Sequence, residues 1–563
     1  LAVVSFLLNG SDVAVSDGIS LLDALREELG CSSVKDGCSP QGQCGACTVW
    51  VDGEPRVSCV TPLRRIAGRH VTTLEGVPTA QRERWTSAFV AHGASQCGFC
   101  TPGIVMRLAG LATEVGGGSA SRHDIEAALR AHLCRCTGWQ TIVDAAVQAL
   151  DAQADADATS FDQPERDPVL AAWRAQVEGP AFQSSGPDVV LGDGGFADDT
   201  APPGALVQLG ADAPLARDLR AARAGAGRVQ GRNSTVPLSH PVEAPEGNWA
   251  VTLRTTWVEP AYVEPDASWS RPGGPAASPL ANGGAFGGKR RSPVGAGARA
   301  LADEAGATVR VLWRREDVVR RGPKRPPLAI ALRSDGSGVV RVGRSPGSPA
   351  LGPALARLEE VCPKLVVEEV EVPGPPVAPD LRGAVWAEAL AARHVLEAAL
   401  GDDGGDGDDG EVGRGRACVR LPEGGRALVD LRLAEGARGQ VRVEVWAGEV
   451  LDPVTLRSYV IGAVHQALGM VWSEGIAVDE TGEPVDLTIR SFGILAARDM
   501  PVVTVQLHEE STWPVNGSDA VFVATLAAAW LAERRSPTWP TRRAAVRAPR
   551  RDVAASQRRE EQS

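Results

Sequence analysis

No run of about 18 apolar residues occurs in the chain, so the sequence predicts no membrane span. Basic charge is not in excess either: 58 Lys and Arg against 70 Asp and Glu leave a net charge of −12. Phosphate backbones are held by basic faces, which excludes nucleic acid as a general partner. Aromatic residues make up only 4% despite 14 Trp, leaving little spare aromatic surface. The N-terminus, LAVVSFLLNGSDVAV, lacks a basic n-region and a cleavage site and alternates like a strand, so it does not read as a signal peptide. The expected location is the cytoplasm, where clustered cysteines bind metal more often than they form disulfides. Leu1 in place of Met reads as a fragment, an unusual start codon or trimming.

Glycine (63) and proline (40) are abundant, and hydrophobic residues reach 43%. That mix fits a loop-rich α+β multidomain protein, and the length suits about three or four domains. Eight of the 11 cysteines lie in the first quarter of the chain, in two sets. Cys38, Cys44, Cys47 and Cys59 follow a C-x5-C-x2-C-x11-C pattern; Cys97, Cys100, Cys134 and Cys136 form the second set. A [2Fe–2S] rhomb needs four thiolates, two per iron, and the plant-type ferredoxin spacing C-x4-C-x2-C…C differs from the first set by one residue in its first gap. Zinc is the alternative, but two quartets without a histidine partner and with glycines in the loop favour iron–sulfur. Cys31 does not match a ligand spacing and reads as a bystander.

Around the first quartet, Asn9-Gly10 and Asp52-Gly53 are hairpin turn signals, and residues 20–29 carry leucines at helical spacing closed by Gly30. Around the second, helices are expected over 83–92, 102–112, 121–132 and 141–152, the third opened by a capping box at Ser121 and Asp124.

The segments QCGFCTPG at 96–103 and CRCTGWQTIVDA at 134–145 resemble the iron–sulfur unit of the xanthine dehydrogenase family of molybdenum hydroxylases, over residues 1 to about 150. The resemblance implies a β-grasp ferredoxin-like domain (1–75) with one [2Fe–2S] cluster and a four-helix domain (76–152) with a second, nearer a molybdopterin cofactor. It implies that Gln96 hydrogen-bonds the pterin edge and that the first cluster faces a flavin. Residues 153–185 read as a linker and leave no room for a flavin domain, so FAD is expected on a partner subunit. Another molybdenum subunit or a second copy of this chain are further candidate partners.

Later segments extend the resemblance to compacted α/β molybdopterin-binding domains. Residues 186–250 resemble the family's small α/β domain, 251–345 a first cofactor-binding part, and 346–545 a second. An acidic Gly-rich insert at 401–413 reads as a solvated linker, and 546–563 as a disordered tail. Glu264-Pro265 matches a Glu-Pro pair of the family, and the loop at 282–291 matches a GGxFGGK motif through Gly283, Gly284, Phe286, Gly287, Gly288 and Lys289. Read without the family, Gly283-x4-Gly288-Lys289 imitates a phosphate-binding loop, but Arg290 stands where Ser or Thr is required. Arg382-Gly383 loosely resembles a substrate-loop arginine, against a plain surface arginine before a helix. Gln466 matches a cofactor-contacting glutamine, while Tyr459 replaces its companion. His465 reads as a packing or hydrogen-bonding group.

The family's reaction is oxidative hydroxylation with oxygen from water and a glutamate as general base. In the matching run VNGSDAVFVA (515–524), Ser518 occupies the glutamate slot and Asp519 follows, so these two are the candidate catalytic residues. The expected function is a molybdenum-dependent oxidoreductase passing electrons through two clusters to a partner flavin or other acceptor. The alternative is an electron-transfer subunit whose degenerate domain serves for docking.

Overall fold

The computed structural model describes residues 2–542 apart from 115–119, 152–165, 180, 228–236, 281, 284, 402–412 and 434–437. Most of the acidic insert, the tail and the candidate Gly284 therefore lie outside the described residues.

The N-terminal strands β1 (Val3–Leu8), β2 (Ser11–Ser16), β3 (Thr48–Val51), β4 (Glu54–Val57) and β5 (His70–Thr72) form one sheet in the order β2-β1-β5-β3-β4. β1 runs antiparallel to β2 and parallel to β5. Both hairpin signals act as expected: Asn9 and Gly10 take φ of 51° and 86°, Asp52 and Gly53 take 53° and 83°. Two successive left-handed residues give the turn whose twist matches the flanking strands. The helix expected over 20–29 starts as Leu21–Asp23, capped by Ser20, and widens into a π-helical stretch at Ala24–Glu28.

Helices Thr79–His92, Thr101–Glu114, Arg122–Ala128 and Gln140–Asp151 follow, with the capping box of Ser121 and Asp124 in place. The expected linker is partly structured. Asp167 caps a helix over Pro168–Glu178, with Pro168 in its first turn. Arg174 anchors it from inside, donating to the carbonyls of Ala447 and Val515.

Of three further sheets, two cross the expected boundaries. Among the described residues of 186–250, strand Leu206–Leu209 has no partner beyond a bridge at Ala216; it pairs parallel with Val309–Leu312, which pairs antiparallel with Ala267–Ser270. Strand Gly338–Arg344 pairs with Leu365–Glu371 across the expected break at 345. A lone strand cannot satisfy its backbone or bury a face, so each recruits partners from later in the chain. The last sheet, Arg414–Arg420, Arg426–Arg432, Gln440–Trp446 and Val502–His508, lies against the apolar helix Ser518–Ala532. No helix among the described residues is long and apolar enough to cross a membrane.

Charges tie the ferredoxin-like part to these later segments. Arg26 pairs with Asp198 and Asp199, Lys35 with Asp199, Arg223 with Asp23 and Asp36, and Arg310 with Glu27 and Asp198.

The buried 20-residue helix Pro453–Trp472 lies directly on the second cysteine set. A Cβ on Gly462 would sit 2.0 Å from the carbonyl oxygen of Cys136. Alanine would gain at most about 1 kcal/mol of helix propensity. Forcing the two backbones apart costs about 1–3 kcal/mol. Gly462→Ala is therefore expected to destabilise the protein by up to about 2 kcal/mol, measured as a lower denaturant midpoint at unchanged slope.

Candidate functional site

Each cysteine quartet converges. The sulfur of Cys38 lies within reach of those of Cys44 and Cys59, and that of Cys59 within reach of Cys47. In the second set, Cys97 and Cys136 face each other with sulfurs 3.7 Å apart, and Cys100 faces Cys134. Two thiolates on one tetrahedral metal at about 2.3 Å each lie about 3.8 Å apart, so this spacing suits a shared ion. Among the described residues, no group of three or more His, Cys, Asp or Glu is arranged around a single ion. Pairs of thiolates, two per iron, are what a two-iron rhomb asks for. The first loop is shaped for sulfur: the N–H groups of Gln41 and Gln43, on either side of left-handed Gly42, point at the Cys38 sulfur at 3.2 and 3.4 Å. A Cβ on Gly37 would lie 3.1 Å from the Cys44 sulfur.

The two sets are joined by one backbone hydrogen bond, from the Leu133 N–H to the Cys44 carbonyl at 2.9 Å. Beside it, His132 wedges into the space over Gly45, with Nε2 3.1 Å from Thr48 Oγ1.

A cleft of about 300 Å³ opens beside the second set, at the small end for small-molecule sites. Cys97, Cys100 and Cys136 border it on one side; Phe286, Arg382 and Asp519 do so from distant segments. Tyr262, Trp386 and Tyr459 add aromatic walls. The Arg382 guanidinium donates to Asp519 Oδ1 at 2.7 Å and to Ser518 Oγ at 2.6 Å. Burial pushes the Asp519 carboxyl above its usual range, and Arg382 pulls against that shift.

The sequence candidates separate in space. Asp519 and Phe286 border the cleft, as do Arg382, Glu264 and Tyr459. Ser518 is fully buried, and its hydroxyl is engaged by Arg382 and Asn516. Gln96 donates to the Cys136 carbonyl at 3.1 Å and to Ser458 Oγ at 3.0 Å, behind the cysteine turn. Gly287 and Gly288 are required by packing: a Cβ on Gly287 would lie 1.8 Å from the Asp380 carbonyl, and one on Gly288 2.8 Å from the Tyr262 ring. Lys289 donates to Glu264 at 2.6 Å and stacks over Tyr262, so it is a counter-ion rather than a phosphate ligand. Gln466 is buried with its Nε2 unpartnered, one helical turn beyond Gly462.

Two cleft residues escaped the sequence reading. Glu178 pairs with Arg174 and accepts from the N–H groups of Gly517 and Ser518 at 3.1 and 2.8 Å, fixing the segment that presents Asp519. Its signal was an Arg/Glu pair four residues apart after an Asp-Pro helix start. Arg135, between two candidate ligands, borders the cleft and pairs with Glu474.

The donors present fit both implied groups. The quartets carry paired thiolates with N–H donors around them. The cleft carries a cradle at Gly283, where a Cβ would lie 2.5 Å from Gln183 Nε2, and an unpartnered buried oxygen on Glu264.

Residues 73–147 match a family described as [2Fe-2S] binding domain. The isoquinoline 1-oxidoreductase subunit alpha of Brevundimonas diminuta is 38% identical over 143 residues, covering 25% of this chain and 92% of that protein. The chain belongs to the xanthine dehydrogenase family of molybdenum hydroxylases. Aldehyde oxidoreductase of Megalodesulfovibrio gigas is 43% identical over 133 residues, but the match spans only 23% of this chain and 14% of that protein. The solved aldehyde oxidoreductase from Desulfovibrio gigas superposes with a TM-score of 0.70 at 15% identity, covering 96% of this chain and 99% of that one, which shows a shared fold.

In this molybdenum hydroxylase relative, His465 is a hydrogen-bonding group. Its Nε2 lies 3.1 Å from the Leu495 carbonyl, and burial, with Arg135 near, pushes its pKa down to about 3. The unfolded chain takes up that proton near an ordinary histidine pKa of about 6.5. Stability is therefore whole above about pH 6.5 and falls as pH drops toward 3, by up to about 1.4 kcal/mol per unit. His465→Gln is expected to flatten that acid limb, measured by urea unfolding across the range.

Proposed function

We propose that this chain is a molybdenum-dependent oxidoreductase whose two cysteine quartets each hold a [2Fe–2S] cluster, passing electrons from the cleft outward to a partner flavin or other acceptor. The observation that carries this reading is the cleft itself, bordered by three cysteines of the second quartet and by Asp519 and Arg382. Bound there, a molybdopterin cofactor supplies two-electron oxidation chemistry and the clusters supply one-electron relay. Asp519 is the group that holds or accepts a proton in the cleft, since Ser518 is buried away from it. Arg382 orients Asp519, and Glu178 fixes the turn beneath it. The aromatic walls limit water and so strengthen charge interactions inside. The Leu133–Cys44 hydrogen bond supports ordered passage from the second quartet to the first. An aldehyde or an N-heterocycle is the substrate class that the relatives' names point to. The domain division at about 75 and 152, and a role for Gln466 and Gln96 toward the cofactor, belong to the same reading.

One observation favours the second reading, an electron-transfer subunit with a docking domain: Asp519 is already ion-paired to Arg382, which weakens it as a base. Metal content separates the two. Purified with its native partners, the protein is expected to hold about four irons and about one molybdenum per chain. Four irons with no molybdenum would remove the catalytic reading. Paramagnetic resonance after reduction is expected to show two distinct [2Fe–2S] signals, of which Cys134→Ser abolishes one and spares the other.

A further inference from the structure

The cluster-facing cleft has a neighbour. A second cavity of about 30 Å³ is bordered by Asp23, Arg26, Glu27, Asp198, Asp266 and Arg310, among others. A buried water needs about 10–15 Å³ and two to four polar partners, so this space suits one or two waters. Among the described residues, Glu264 alone borders both hollows. Its two oxygens differ. Oε2 accepts from Lys289 Nζ at 2.6 Å, whereas Oε1 is buried without a partner. A carboxylate kept only as a counter-ion leaves no reason for an idle buried oxygen, which costs about 1–3 kcal/mol. The charges facing Glu264 are Lys289, Asp266 and Asp199. Burial pushes its carboxyl up, Lys289 pulls it down, and the two aspartates push it up again. Glu27, which also borders the small cavity, is 26% exposed and reaches solvent.

We propose that Glu264 is a proton-relay residue, moving protons between the cleft and the buried polar cavity and from there past Glu27 to solvent. The proposal rests on the oxidoreductase reading. Oxidising a C–H bond with water as the oxygen source, R–H + H2O → R–OH + 2 e⁻ + 2 H⁺, releases protons as well as electrons. The electrons leave through the clusters to an external oxidant, a partner flavin or an artificial dye. The protons need their own route. Oε1 takes a proton on the cleft side, Glu264 becomes neutral, and the proton passes to water in the small cavity, restoring the carboxylate.

Infrared titration of the full chain with its clusters tests this without turnover. A protonated-carboxyl band titrating above the ordinary carboxylate range is expected, absent from Glu264→Gln and kept in Glu264→Asp. Asp266→Asn, which leaves the Lys289 pair in place, is expected to move that titration to lower pH and serves if Glu264→Gln does not fold. With a dye as oxidant and an aldehyde or N-heterocycle as substrate, Glu264→Gln is expected to lower kcat about tenfold or more at nearly unchanged KM, and to flatten the pH profile. A Glu264 carboxyl that titrates no higher than an ordinary carboxylate overturns the proposal, as does an unchanged kcat and pH profile in Glu264→Gln. Absence of turnover by the unaltered protein counts against the oxidoreductase reading alone, and the infrared titration then decides the relay.

Discussion

The carbonyl oxygen of Cys136 governs how this molecule is arranged. The long helix Pro453–Trp472 rests on it so closely that position 462 has no room for a side chain. A second contact repeats the constraint two residues on, where a Cβ on Gly138 would lie 2.6 Å from the Ile461 carbonyl. With helix and cysteine turn locked together, Gln96 can span the Cys136 carbonyl and Ser458, and Tyr459 of the same helix turns toward the cleft. Trp139 closes the other side by donating to the Leu495 carbonyl at 2.9 Å. Placement of the second quartet at the cleft thus follows from backbone-to-backbone contact, which few substitutions can imitate.

Around that contact, the cleft is built from charges that compensate one another. Asp519 meets Arg382, Glu264 meets Lys289, and Glu178 meets Arg174. Buried pairs add little stability in themselves, but stripping one partner typically costs about 3–5 kcal/mol. The site therefore presents orientation more than net charge, and among these paired carboxylates Glu264 keeps a buried oxygen without a partner.

Much of the cysteine architecture was legible because its chemistry is local. Ligand spacing, the Asn9-Gly10 and Asp52-Gly53 turns and the Ser121 capping box each occupy a few consecutive residues. The cleft was far less legible, because its walls come from segments near residues 97, 178, 264, 286, 382, 459 and 519. Gly287 shows the trap: its motif suggested a cofactor approaching the backbone, and the close neighbour is the Asp380 carbonyl. Glu178 shows the converse, a site residue hidden in a stretch whose polar composition read as a linker. Strand pairing was not legible for the same reason, since a strand such as Leu206–Leu209 finds its partner about 100 residues on.

The ion pairs between the ferredoxin-like part and the later segments have a consequence beyond cohesion. Arg26, Lys35, Arg223 and Arg310 meet their carboxylates in one relative orientation only. Any shifted or rotated docking would strand several charges at once, each a penalty of several kcal/mol in a low-dielectric interface. Such a surface works as a key rather than as glue: it rejects near-misses during assembly. The placement of the first quartet's segment against the chain near residues 198, 223 and 310 is thereby set by the chain's intolerance of error.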